Sequence, residues 1–130
     1  MLLQPTDDQE FFRETTARFL ADKASVAVLR GLRDDPAGFD REDWRQGAEL
    51  GWSSLLVDEA HGGGSVSGTG LADLSLVAYD FGRTAAPGPL LPAAVVAGAL
   101  SAAGGHDAVL QDLLAGAAVA TWAHAEPPPD

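Results

Sequence analysis

The sequence predicts an all-α domain of about five helices, closed by one terminal β-strand. Three observations carry that expectation. Alanine, leucine and glycine dominate the 130 residues while aromatic residues make up only 7%, a composition that favours helix over sheet. Apolar residues recur at helical spacing in several segments separated by glycine and proline. The last segment, AVATWAHAE, shows no helical stripe. At this length, with 46% apolar residues, one domain with a real core is expected.

Taken in order, Thr6-Asp7-Asp8-Gln9 matches a capping box, and Asp7, Asp8 and Glu10 suit the positive end of a helix dipole. Phe12, Thr15, Thr16, Phe19, Leu20 and Lys23 trace one face of a first helix over about residues 7–25. Residues 26–32 either extend it or form a short second turn. Asp34, Asp35, Pro36 and Gly38 mark a connector. Asp40 is the expected N-cap of the second helix, with Phe39 as a hydrophobic staple. Trp44, Gly47, Ala48 and Gly51 share a face of that helix, and its small residues allow another backbone to come close. Leu55, Leu56 and Val57 form a buried apolar corner, and Gly62, Gly63 and Gly64 end any regular element.

A third helix is expected from about Gly70, with Leu71, Leu74, Ala78 and Phe81 on its inner face and Tyr79 and Asp80 off to the side. Pro87 and Pro89 forbid its continuation. Pro92 suits the first turn of a fourth helix running to about Ala103, stopped by Gly104 and Gly105. Asp107 is expected to cap a fifth, containing Leu110, Leu113 and Leu114 and ended by Gly116. Val119, Thr121 and Trp122, followed by three prolines, read as a strand. A lone strand leaves unpaired backbone groups on both edges. The expected division is therefore a helical domain over 1–117 and, over 118–130, the first strand of a β-domain that this chain does not contain.

Composition excludes several functions. Nineteen acidic against eight basic residues, a net charge of −11, leave no basic face for nucleic acid and would be repelled by an anionic membrane surface. The absence of cysteine rules out disulfides, thiolate catalysis and cysteine-based metal sites. No apolar run is long enough to span a bilayer, and MLLQPTDDQE lacks a basic leader followed by an apolar core, so a cytoplasmic location is the expectation. The glycine run has no phosphate-loop spacing. His61, His106 and His124 sit at no metal-ligand spacing, and no nucleophile elbow surrounds Ser53 or Ser54. Asp58 and Glu59 are adjacent and point different ways, so they do not pair as acid and base. No catalytic residue and no metal ligand is assigned. The stretch FGRTAAPGPLLP is apolar and irregular with three prolines. It reads either as a helix-to-helix connector or as one wall of an apolar ligand pocket, lined by Leu90 and Leu91.

The stretch ELGWSSLLVDEAHGG resembles the "ELGW-x-x-L-x-V-P-E-x-x-GG" segment of the acyl-CoA dehydrogenase family, with Asp58 where that family usually has proline. The resemblance extends over nearly the whole chain: a capped first helix, a long helix ending in "GR", a "P-x-P-L-L-P" turn, two more helices, and ATWAHAEP in place of the family's "A-x-x-x-T-E-P" strand. It implies an FAD enzyme that removes two hydrogens from Cα and Cβ of an acyl-CoA thioester. The carboxylate base and most flavin contacts would come from sequence outside this chain. It places Pro89, Leu90 and Leu91 near the acyl group, and Trp122, His124 and Ala125 near the flavin. Ala125 stands where the family commonly has a threonine touching the flavin ring, so that hydroxyl is missing. The implied partners are an acyl-CoA thioester and further subunits, in a homo- or hetero-oligomer, with the electron acceptor open. Two alternatives remain: a flavin-deficient structural subunit of a heteromeric, steroid-type dehydrogenase, and a non-catalytic helical interaction module.

Overall fold

The computed structural model describes residues 4–125, and among them the chain is all-α, with six helices and one short 3-10 turn at Glu59–His61. Helix α1 (Asp7–Lys23) starts from the predicted capping box: Gln9 N donates to Thr6 Oγ1 at 3.2 Å and Thr6 N to Gln9 Oε1 at 2.9 Å. It stops short of residue 25 because Ser25 caps a separate helix, α2 (Val26–Gly31), by accepting from Val28 N at 3.4 Å. That extra helix raises the count from about five to six. Helix α3 (Arg41–Glu49) is capped by Asp40, whose Oδ1 accepts from the backbone of Glu42 and Asp43. Helices α4 (Gly70–Thr84), α5 (Leu90–Ala103) and α6 (Asp107–Leu114) complete the order. Asp107 is the first residue of α6; the cap position belongs to His106, which makes no side-chain bond there.

Helix α1 packs on α4, and α6 packs on α5. The main core joins Leu20, Trp44, Trp52, Leu55, Leu74, Val77, Phe81 and Leu90. A smaller cluster of Val57, Ala97, Leu110 and Leu113 lies between the apolar corner, α5 and α6. The corner is central to both: Leu55 faces the first cluster and Val57 the second. Two missing side chains let the chain close around it. A Cβ at Gly70 would collide with the Leu55 carbonyl oxygen, so only glycine lets α4 begin there. A Cβ at Gly116 would lie 2.9 Å from both Arg45 Cα and Ala48 Cβ, so the chain leaving α6 is the backbone that approaches the small face of α3.

Two expectations are corrected. The buried stripe of α4 runs through Asp73, Leu74, Val77, Asp80 and Phe81, while Leu71 points outward. Asp80 is inside rather than off to the side, because two arginines approach its carboxylate. The terminal strand is also absent among the described residues: 118–125 carry no strand assignment, and 126–130 lie outside the description. A strand needs a partner to satisfy its backbone, and the helices offer none. Among the described residues no helix is long and apolar enough to cross a membrane.

Candidate functional site at the α4–α5 turn

The stretch FGRTAAPGPLLP makes a groove by the way it leaves one helix and enters the next. Ala85 ends α4 in the left-handed region at φ 53°, and Ala86 N reaches back to the Phe81 carbonyl at 2.9 Å. Pro87, Gly88 and Pro89 then carry the chain to the first turn of α5 without regular hydrogen bonding. The result is an open groove of about 430 Å³. Ala78, Gly82, Ala85, Ala86 and Gly88 line it, with Leu91 and Pro92 at one side and Phe81 and Leu90 behind. No charged or hydrogen-bonding side chain is among these residues.

The predicted pair of leucines is divided by helix geometry. Successive residues on a helix point about 100° apart, so Leu90 is 4% exposed in the main core while Leu91 is 54% exposed beside the groove. Pro89 is half-buried, occupies the cap position of α5 and does not line the groove. The five small residues that shape the groove were missed in the sequence, although the alternation of alanine, glycine and proline was its signal.

The far side of α4 carries the charge. Asp73 is fully buried. Its carboxylate accepts from Gln9 Nε2 at 2.7 Å, from the backbone of Val66 at 2.7 Å and of Ser67 at 3.0 Å, and from Ser67 Oγ at 2.8 Å. Burial pushes this carboxyl up, but the hydrogen bonds from Gln9, Ser67 and Val66 outweigh it and hold the group below the ordinary carboxylate value. Asp73 thus ties α1 and the glycine-rich loop to α4. About two turns further along α4, Asp80 is also buried, with Arg13 Nε and Arg83 Nε each 3.4 Å from its oxygens. Arg13 also lies over the Tyr79 ring, 5.4 Å from its centroid. These charges brace α4 against α1 and leave the groove side uncharged.

The model of a family described as "Acyl-CoA dehydrogenase, N-terminal domain" matches residues 6–120. The chain belongs to the acyl-CoA dehydrogenase family. It is also 34% identical over 119 residues to "Acyl-CoA dehydrogenase IpdE2" of Mycobacterium tuberculosis (strain ATCC 25618 / H37Rv), a match covering 90% of this chain and 36% of that protein. The chain therefore spans about a third of the length of the curated relative it matches. No solved structure matches it.

Acyl-CoA dehydrogenases are generally FAD-dependent, so the flavin-side expectation falls on Trp122, His124 and Ala125. All three are exposed, and none of them lines the groove. Among the described residues, the backbone after Ala118 makes no hydrogen bond to the helices. The hydrogen-bonding side chains of this exposed segment are those of Thr121, Trp122 and His124, an alanine stands at the position of the expected hydroxyl, and no backbone bond to the helices fixes any of them. These residues by themselves do not fit the holding of FAD, and no step of chemistry is built on them.

Proposed function

We propose that this chain is the N-terminal helical domain of an FAD-dependent acyl-CoA dehydrogenase that carries out α,β-dehydrogenation of an acyl-CoA thioester. In that reading the α4–α5 groove forms one wall of the acyl pocket, and residues after 118 open the β-domain that supplies flavin contacts. The observation that carries it is the uncharged groove, all of whose lining side chains are apolar, at the "P-G-P-L-L-P" turn of a domain that belongs to this family. The protein would work as a homo- or hetero-oligomer in the cytoplasm.

The test compares the 130-residue chain with the full-length protein, each given a range of acyl-CoA esters and an artificial electron acceptor. The full-length protein should reduce the acceptor and the isolated chain should not. Turnover by the isolated chain, or none by the full-length protein with any ester, would sink the reading. Leu91→Trp in the full-length protein should penalise bulky acyl groups over short ones by about 1–3 kcal/mol in kcat/KM, the discrimination an apolar wall supplies.

A second reading is favoured by Ala125: a subunit without a working flavin site, paired with one that has it. Such a protein should purify colourless alone and show flavin absorbance only when co-purified with its partner.

A further inference from the structure

We propose that the hydrogen bond from Asp58 N to Ser101 Oγ fixes the rotation of α5 about its own axis, so that this pair positions the side chains that α5 turns toward the acyl group. This rests on the acyl-CoA dehydrogenase reading above and concerns how its pocket wall is set.

The need for such a bond lies in the composition of α5. Its 14 residues, LLPAAVVAGALSAA, carry no charge, and Ser101 is the one hydrogen-bonding side chain among them. Leu90, Ala93, Ala94, Ala97 and Ser101 are buried. Leu91, Pro92, Val95, Ala99 and Ala102 are exposed. A helix that is apolar all round has no stripe to tell it which face is inward. Turning it by one residue, about 100°, would bring in Leu91, Ala94, Val95, Gly98 and Ala102, a set that is again apolar and mostly small. Gly98 lets α5 come close to the corner, its Cβ position 3.1 Å from Leu56 Cβ. The hydrogen bond adds a direction to that closeness.

Ser101 is buried near the end of α5 that lies away from the groove, and its Oγ accepts from Asp58 N at 3.1 Å. Hydrogen bonds weaken steeply as distance and angle depart from their optimum. A turn of α5 would therefore separate the two groups and leave the buried hydroxyl without its donor. A single polar residue fixes register between apolar helices in the same way. Because α5 is continuous, the angle set at Ser101 is carried to its first turn. There it keeps Leu91 beside the groove and Leu90 behind it.

The donor depends on residue 58 in one respect only. Asp58 is exposed and its carboxylate makes no cap bond, so the side chain takes no part. Its φ of −65° is the angle that proline holds. Proline, which the resembled segment usually has here, would fit this backbone and lack the N–H. Asp58 keeps the amide that Ser101 uses.

The experiment uses the full-length protein, together with its partner subunit if it purifies with one. Asp58→Pro removes the N–H and keeps the backbone angle. Ser101→Ala removes the acceptor, and Asp58→Ala removes the carboxylate and keeps the N–H. These and the double variant Asp58→Pro/Ser101→Ala are compared with wild type by thermal unfolding and by kcat/KM on a range of acyl-CoA esters that includes butanoyl-, octanoyl- and hexadecanoyl-CoA. Ser101→Ala should lower Tm in the wild type, and leave it unchanged or raise it in the Asp58→Pro background, where no amide is left unpaired. Asp58→Pro and Ser101→Ala should each lower the ratio of kcat/KM between the most and least favoured esters at least threefold. The double variant should lower it no further, and Asp58→Ala should keep the wild-type ratio. If Asp58→Pro does not fold, Ser101→Ala against Asp58→Ala decides by the same ratio. Equal change on every ester would overturn the inference, by showing that the bond is structural only, and would leave the dehydrogenase reading standing. Equal Tm loss from Ser101→Ala in both backgrounds would overturn it too, because the two groups would not be coupled. So would a wild type that uses all the esters equally. A wild type that turns over no ester would sink the dehydrogenase reading and this inference with it.

Discussion

Trp52→Ala is expected to lower the unfolding free energy of the chain by about 3–5 kcal/mol, the range for removing a large buried aromatic side chain. Trp52 is 2% exposed and sits where α1, α3 and α4 meet. Its ring meets Phe19 edge-on at 5.3 Å and Phe81 at 4.9 Å, with Trp44 tilted at 6.3 Å. The indole N–H donates to Thr16 Oγ1 at 3.1 Å, and Thr16 is fully buried. Truncation would therefore open a cavity between three helices and leave the Thr16 hydroxyl without that partner. Trp52→Phe keeps most of the ring and loses the hydrogen bond, so it should cost less, about 1–3 kcal/mol. Denaturant unfolding with an unchanged m-value is the measurement. A loss below about 1 kcal/mol for the alanine variant would show that the aromatic cluster is not the centre of the core.

The second large effect is expected at Asp73. Asp73→Asn should destabilise the chain by about 2–4 kcal/mol at neutral pH, because the amide places a donor against N–H groups that need an acceptor. The groups that now donate to the carboxylate come from α1 through Gln9 and from the glycine-rich loop through Val66 and Ser67. The pH dependence has a definite sign. The folded-state pKa of Asp73 is depressed. Its contribution is therefore present above the unfolded value of about 3.9 and is lost as pH falls through the lower folded value. The stability gap between wild type and Asp73→Asn should be constant near neutrality and narrow below about pH 4. Unfolding curves at a series of pH values check this. A gap that stays constant into strong acid would mean that the carboxylate's charge contributes nothing to the latch.

Local chemistry was legible in the chain. The Thr6–Gln9 capping box and the Asp40 cap need only neighbours in sequence, and both formed where expected. The burial of Trp44 and Trp52 followed from an apolar face with small residues around it. The α4 stripe was less legible. Asp80 looked like a surface residue because one of the cations that accompany it into the interior is Arg13, from a different helix. Leu71 looked like a core residue from its apolar character, and only the position of α1 across α4 turned it outward.

What the sequence alone determined was the helical class, the order of the longer helices, the Thr6–Gln9 and Asp40 caps, and membership of the acyl-CoA dehydrogenase family. These depend on residues within a turn or two of one another, or on motifs read in linear order. Only the tertiary structure decided which of two adjacent leucines is core and which stands beside the groove, and that the small residues of α4 and the turn shape it. A groove is space left by residues brought together from α4, the turn and α5, and linear spacing does not define that space. The terminal segment marks the same boundary from the other side. Its β-forming residues are visible in the sequence, but pairing is a property of two strands, and no second strand lies among the described residues.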